Sequence, residues 1–496
     1  MLGNSIKSRL GFIFLFFLLA ILSGCQQKLP ALSSGIESSS LSKTLSVKYV
    51  AESTNLESVS LVELKRTVYA LFFHQGILAG QDGYGNNHFR YQQWQVPLVM
   101  GTILDYNHFY LGQFHDFLPV ISAYQPQYGS YDQFLELLYK INNWDAFPQK
   151  QQKNICQLSG YCLITDDRLW WVNFFISYAE ELYHHQPYDP VADKLVDYSY
   201  KIFLSLSRKQ YLNTKGTKGS YSLMWHIKYD EIPYYKSTIS NSLYVTAGAR
   251  LALLIKNRYG IANKKFKYNL ILEKTRKVAD GYFLTYSEDP KNKLKMDGLL
   301  LDGVGTGSRN QHDFKSGQVV NLMFTYNQGV VLPGMLILSK LTNENKYQDY
   351  AGDLLLATIN YSNNHGGFWD DYGYKNKKGW FADYDGIAFR LAYWQYFMMY
   401  WQSIDRPISR NLLIKVSEFI ASNKRQLQLR QTSLLPYGIT TTESNYLVSP
   451  NHNNLSKLPM GESFTAYPDG YSVPGIATAL QIMLLQSEES REFKNN

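Results

Sequence analysis

The chain has 496 residues, 45% of them hydrophobic and 15% aromatic, with a formal net charge of +8. That composition excludes a disordered polypeptide and leaves room for one large domain or two ordinary ones. The positive balance is mild and spread along the chain with no basic block, which argues against nucleic acid as a partner.

Lys7 and Arg9 precede the apolar run GFIFLFFLLAIL, which leads into LSGC ending at Cys25. The run is too short for a comfortable membrane-spanning helix and reads as a secretory signal over 1–24. Its small-small-Cys ending is similar to the lipobox of bacterial lipoproteins. Cys25 is therefore expected to carry acyl chains that anchor the protein to a membrane with no spanning helix. Gln26 after it favours the outer membrane of a Gram-negative envelope; an uncut signal anchor is the competing reading. Residues 25–57 are serine-rich and lack apolar periodicity, as a tether would, and the domain is expected over 58–490. Besides Cys25 only Cys156 and Cys162 remain. In an oxidising compartment they can close a short loop, whereas two thiols alone cannot assemble a zinc site.

Along the domain, Leu61, Leu64, Val68 and Leu71 give 58–75 one apolar face. Helices are predicted next over 94–110, 131–142, 166–184 and 190–205, the last with proline at its start. They continue over 236–256, 264–280, 325–341, 346–359, 386–401, 407–421 and 472–485. One-faced helices alternate with helices apolar nearly all round; the first kind sits outside and the second is buried. Equal numbers in alternation fit an all-α (α/α)6 toroid. A helical solenoid competes, but solenoids keep a more uniform repeat length. The loops before the buried helices vary in length and carry the unusual polar residues, so in a toroid they would build a cleft at one end. GVGTGS at 303–308 opens no βαβ helix and reads as a flexible loop.

The segment TDDRLWW starts the second buried helix. Thr165 as N-cap and two acids in the first turn, Asp166 and Asp167, suit a helix start without any further role. Trp170 and Trp171, however, follow at one-turn spacing and would cover the face that the acids use. Aromatic cover lowers the local dielectric, and adjacent carboxylates resist double ionisation, so one acid is expected ionised and the other protonated. A proton donor beside a carboxylate nucleophile is the equipment of a glycosidase. Neighbouring helix positions stand about 100° apart, which puts the two carboxyl groups roughly 5–6 Å from each other. Retaining enzymes use about 5–5.5 Å and inverting ones about 6.5–9.5 Å, so the spacing favours retention.

Together with this helix, KSTISNSLYVTAGARLAL, LLLDGV, TYNQGVVLPGMLILSKLTNENKYQDYA and YDGIAFRLAYW resemble, in order, the family 76 glycoside hydrolases. These are α-1,6-mannanases on an (α/α)6 barrel, with fungal cell-wall transglycosylase relatives. The resemblance covers nearly the whole domain and implies Asp166 as nucleophile and Asp167 as acid/base. It implies substrate contacts from Asn241, Asp302, Tyr326, Asn327, Gln328 and Arg390, beside the Trp170 and Trp171 walls. Departures from the family pattern are Ser237, Asp385 and Pro333, the last of which should kink its helix by removing a ladder donor. Each polar residue also has a plainer reading. Asn327 and Gln328 can cap backbone groups, Asp302 can close a turn, and Arg390 can pair with a buried acid. Trp94 reads as core, and Asp370 and Asp371 as a loop. The expected partner is an α-mannan-like saccharide, met by a monomer with no cofactor, metal or nucleic acid. Hydrolysis leads, with transfer to a sugar hydroxyl or glycan binding without cleavage as alternatives.

Overall fold

A computed structural model of the chain describes residues 94–106, 131–159, 164–226, 234–307, 314–365, 374–376, 379–381, 384–404, 414–416 and 418–420. All of them belong to one unit, residues 52–496. Cys25, Cys162, the side chain of Cys156, Asp370 and Asp371, and the helices expected over 58–75 and 472–485 lie outside the described residues.

The helices are α1 (Gln95–Tyr106), α2 (Tyr131–Asn142), α3 (Gln149–Ser159), α4 (Thr165–His185), α5 (Pro190–Leu206) and α6 (Thr238–Tyr259). They continue as α7 (Tyr268–Val278), α8 (Thr325–Gly329), α9 (Leu332–Thr342), α10 (Asn345–His365) and α11 (Tyr384–Gln402). The sequence sets their ends. Asp189 caps α5 by accepting from the Val191 and Ala192 N–H groups at 2.7 and 2.9 Å, with Pro190 in the first turn. Ser237 caps α6, and Gly260 at φ 78° ends it.

Helices apolar on every side form the inner layer: α1 packs on α4, α4 on α6, α6 on α9, α9 on α11, and α11 back on α1. The one-faced α5, α7 and α10 pack outside α4, α6 and α9. Because an outer helix returns the chain after each inner one, the inner helices all start at the same end of the ring. Close approach helps to tighten it. A Cβ on Gly334 of α9 would lie 2.6 Å from the Thr246 hydroxyl of α6 and 2.7 Å from its Cα.

Four features depart from the sequence reading. First, α3 was not anticipated; its segment QKQQKNICQLS offers little apolar face. Second, the helix expected over 325–341 is two, broken after Gly329. Pro333 falls in the first turn of α9, where its missing N–H costs least, and the Thr246 hydroxyl bonds the Val330 carbonyl at 2.6 Å. Third, α7 runs on into a wider π-helical stretch, Ala279–Ser287, which sets the Tyr282 hydroxyl 3.0 Å from that of Thr238.

Fourth, short strands join the inner helices: β1 (Leu212–Asn213), β2 (Ser222–Leu223), β3 (Tyr235–Ser237), β4 (Lys295–Met296), β5 (Leu299–Gly305), β6 (Val319–Met323), β7 (Tyr374–Asn376) and β8 (Gly379–Phe381). β5 pairs antiparallel with β3, β4 and β6 and is buried at every residue. The start of the glycine-rich 303–308 segment is thus a central strand rather than a loop. Gly303 is required there, since a Cβ would stand 2.3 Å from the Lys236 carbonyl oxygen on β3. Among the described residues no helix is long and apolar enough to cross a membrane.

Candidate active site

Asp166 and Asp167 occupy the first turn of α4 at the end where the inner helices begin, 9% and 7% exposed. Thr165 does not cap this helix. Its N–H donates to the Trp225 carbonyl at 2.7 Å, which draws Thr165 into the helix and leaves Ile164 in the cap position. The Thr165 hydroxyl is buried without a partner. The acids therefore sit on a start fixed by a neighbouring segment, not by the chain's own cap.

Two N–H donors hold the Asp166 carboxylate. The Asp167 main-chain N–H reaches Oδ1 at 3.2 Å, and the Trp225 indole N–H reaches Oδ2 at 3.1 Å. Burial raises the Asp166 carboxyl to about 7; the Trp225 indole and the main-chain N–H groups of Asp166 and Asp167 oppose this, and the charge of Asp302 adds to it. Asp302 stands in the middle of β5, 6% exposed, and is itself raised to about 7 by burial, against hydrogen bonds from Asn327 and Tyr235. Asn327 Nδ2 lies 3.5 Å from Asp302 Oδ1. The Tyr235 hydroxyl is pushed well above its ordinary value by burial and by the charges of Asp302 and Asp166. Helix α4, strands β3 and β5 and helix α8 thus bring three buried acids to one place.

Aromatic side chains gather around Trp170, one turn after Asp166 on α4. Half-buried Trp94 packs on Trp170 at 5.6 Å, on Tyr326 at 6.5 Å and on Phe389 at 5.4 Å, and Tyr326 stacks on Phe389 at 4.1 Å. Trp94, read as core from the sequence, and Phe389, not singled out at all, therefore join Trp170 and Tyr326. Arg390 follows Phe389 on α11 and is half-buried. Among the described residues no three His, Cys, Asp or Glu side chains gather to hold a metal ion.

Three expected substrate contacts are corrected. Trp171 is 1% exposed and packs on Phe174 and Phe175, so it fills the core instead of walling the acids. The Asn241 amide is spent on main chain: Oδ1 accepts from Leu223 N–H at 2.7 Å, and Nδ2 donates to the Ser237 and Leu223 carbonyls. Gln328 clamps β5 in the same way, accepting from Leu300 N–H and donating to its carbonyl, both at 2.8 Å. Both amides are fully buried with no group left for a ligand.

Sequence reasoning missed Trp225 and Tyr235. Trp225 stands outside every helix and strand, Tyr235 only begins the three-residue β3, and Trp225 meets an acid 59 positions away. The only available signal was the density of aromatics in the segment MWHIKYDEIPYY between α5 and α6.

The sequence profile of glycosyl hydrolase family 76 matches residues 70–411. Among curated proteins none matches the chain. Among solved structures it is similar to Dfg5 from Chaetomium thermophilum in complex with glucosamine, at 16% identity and a TM-score of 0.55, covering 89% of this chain and 90% of that one. It is similar also to the GH76A α-1,6-mannanase from Salegentibacter sp. HEL1_6, at 18% identity and a TM-score of 0.50, covering 87% and 98%. An inactive variant of the latter, with two consecutive aspartates changed to asparagine and α-1,6-mannotriose bound, matches at 15% identity and a TM-score of 0.50, covering 88% and 98%. The fold is the α/α toroid, as the alternation of helices required.

Proposed function

Because the chain belongs to glycosyl hydrolase family 76, we propose that it cleaves α-mannosidic linkages, α-1,6 in particular, with retention of configuration. The single observation that carries this reading is the pair of buried adjacent acids, Asp166 and Asp167, at the open start of α4 beside a third, Asp302. In the first step an Asp166 oxygen attacks the anomeric carbon, and the Asp167 carboxyl gives its proton to the departing glycosidic oxygen. A glycosyl ester on Asp166 results. In the second step Asp167, now a carboxylate, takes a proton from water as that water attacks the same carbon and frees Asp166. In this reading Asp302 and Asn327 bond sugar hydroxyls, and the Trp94–Tyr326–Phe389 cluster supplies apolar ring faces. The inactive aspartate-pair variant of the Salegentibacter α-1,6-mannanase, with its mannotriose, supports both the acids and the substrate class.

The test is incubation of the purified chain with linear α-1,6-mannan, followed by proton NMR. New reducing ends whose first-formed anomer is α sustain the reading. Early β product removes the retaining mechanism, lengthened oligomers point to transfer, and binding without cleavage removes the enzyme. Lys7, Arg9, the apolar run after them and Cys25 support a lipid-anchored place in the cell envelope. Labelling with a fatty-acid analogue that disappears in Cys25→Ala checks it.

A further inference from the structure

A carboxylate that must attack carbon needs a fixed orientation and a free electron pair, and burial works against the second. Two hydrogen-bond donors around Asp166 oppose the effect of burial. Its Oδ1 faces the Asp167 main-chain N–H and its Oδ2 faces the Trp225 indole N–H. Neither group can accept a hydrogen bond, so neither oxygen can bear a proton toward its partner. Among the described residues, the titratable groups at this place include Asp167 on α4, Asp302 on β5, Tyr235 on β3 and His226, whose ring lies 5.6 Å from that of Trp225. The Asp302 charge favours the protonated form of Asp166.

Trp225 is more than a neighbouring ring. Its main-chain N–H donates to the Tyr235 carbonyl at 3.0 Å, and its main-chain carbonyl accepts from the N–H of Thr165, the first residue of α4. Its ring packs on that of Tyr235 at 4.8 Å, and it remains half-buried. One residue thus ties β3, the start of α4 and the Asp166 carboxylate together. We propose that Trp225 is a positioning residue, whose indole N–H orients the Asp166 carboxylate and holds it ionised for attack. This rests on the reading of Asp166 as nucleophile.

The test replaces the donor and spares the volume. In Trp225→Phe, the Asp166 carboxyl, followed by carbon NMR of labelled aspartate and assigned with Asp166→Asn, should titrate roughly one to two pH units higher than in the parent. At pH 7 kcat should fall about 10- to 100-fold, while KM stays within about threefold. Site-specific benzothienylalanine at position 225, with sulfur in place of the indole N–H, should give the same shift at an unchanged melting temperature. This second variant decides the matter if Trp225→Phe does not fold. A titration unmoved in a folded variant overturns the proposal. A shifted titration in a protein that cuts no mannan upholds the role of Trp225 and removes the function proposed above instead.

Discussion

Arg168, the residue after the acid pair, forms an ion pair with Asp145 at 3.0 Å, with their side chains only 1% and 5% exposed. Every side-chain nitrogen of Arg168 and both carboxylate oxygens of Asp145 have a hydrogen-bond partner. Arg168 also donates to the Asn142 carbonyl, the Tyr211 hydroxyl and Ser205, while Asp145 accepts from Ser205 and Tyr211. Burial works to raise the Asp145 carboxyl, but the Arg168 guanidinium and these hydroxyls outweigh it and hold Asp145 below its ordinary value. The network fastens the first turn of α4 to the turn after α2. Arg168→Met would leave the buried Asp145 carboxylate with only the longer Arg208 contact at 3.7 Å and its two hydroxyl donors, at a cost of up to about 3–5 kcal/mol. Adding Asp145→Asn should recover part of that loss. Urea unfolding of both single variants and the double variant measures the coupling, and additive losses would show that the pair is not a unit.

The acids themselves come next. Asp166→Asn and Asp167→Asn should each lower mannan turnover by roughly a thousandfold or more and leave the protein folded. Both side chains are small, sit at a helix start and have neutral isosteres of the same shape. A variant that keeps near-normal turnover removes its residue from the mechanism.

Asp166 and Asp302 make the chain sensitive to pH in a defined direction. Both carboxyls are raised to about 7 in the folded state, above the value of about 3.9 expected when unfolded. Between those values the folded protein binds more protons than the unfolded one. Stability from these groups is full below about pH 4 and declines as pH rises through about 7. Asp302→Asn should therefore gain stability relative to the parent as pH climbs over that window, by up to a few kcal/mol. Without the Asp302 charge Asp166 should also ionise more easily, so the acidic limb of kcat/KM should lie at lower pH than in the parent. Melting curves and rate profiles from pH 4 to 8 check both; a limb that stays in place would uncouple the two acids.

The order of helices was legible because burial leaves a periodic mark. α4, α6 and α11 are apolar on nearly every side, and α5 and α7 on one. The acid pair was legible because two like charges beside large indoles demand a reason. What periodicity could not show is where polar groups in the core find partners. β5 is seven residues of continuous burial, which reads equally as a piece of helix or strand. Trp225 and Asp166, or Arg168 and Asp145, meet only when segments 59 and 23 positions apart have packed together. The Trp170–Trp171 doublet makes the same point. Adjacent helix positions face different ways, so Trp170 turns to Trp94 while Trp171 turns into the core.

Asn241 and Gln328 carry the last prediction, because a family pattern would place them on the sugar and their hydrogen bonds place them on the backbone. Asn241 serves Leu223 on β2 and Ser237 at the start of α6; Gln328 serves Leu300 on β5 and Phe324 before α8. Each joins a strand to a helix whose start lies at the site. Replacing either with leucine keeps the volume but leaves main-chain groups buried and unpaired, at a cost of about 1–3 kcal/mol for each group. Both variants should therefore melt lower while KM for mannan oligosaccharides changes less than about threefold in the fraction that remains folded. Asp302→Ala, which removes an acid proposed to bond the sugar, should show the opposite balance. Thermal melts paired with initial-rate kinetics at a temperature below both transitions separate the two patterns. A large rise in KM for Asn241→Leu at unchanged melting would return that amide to the substrate.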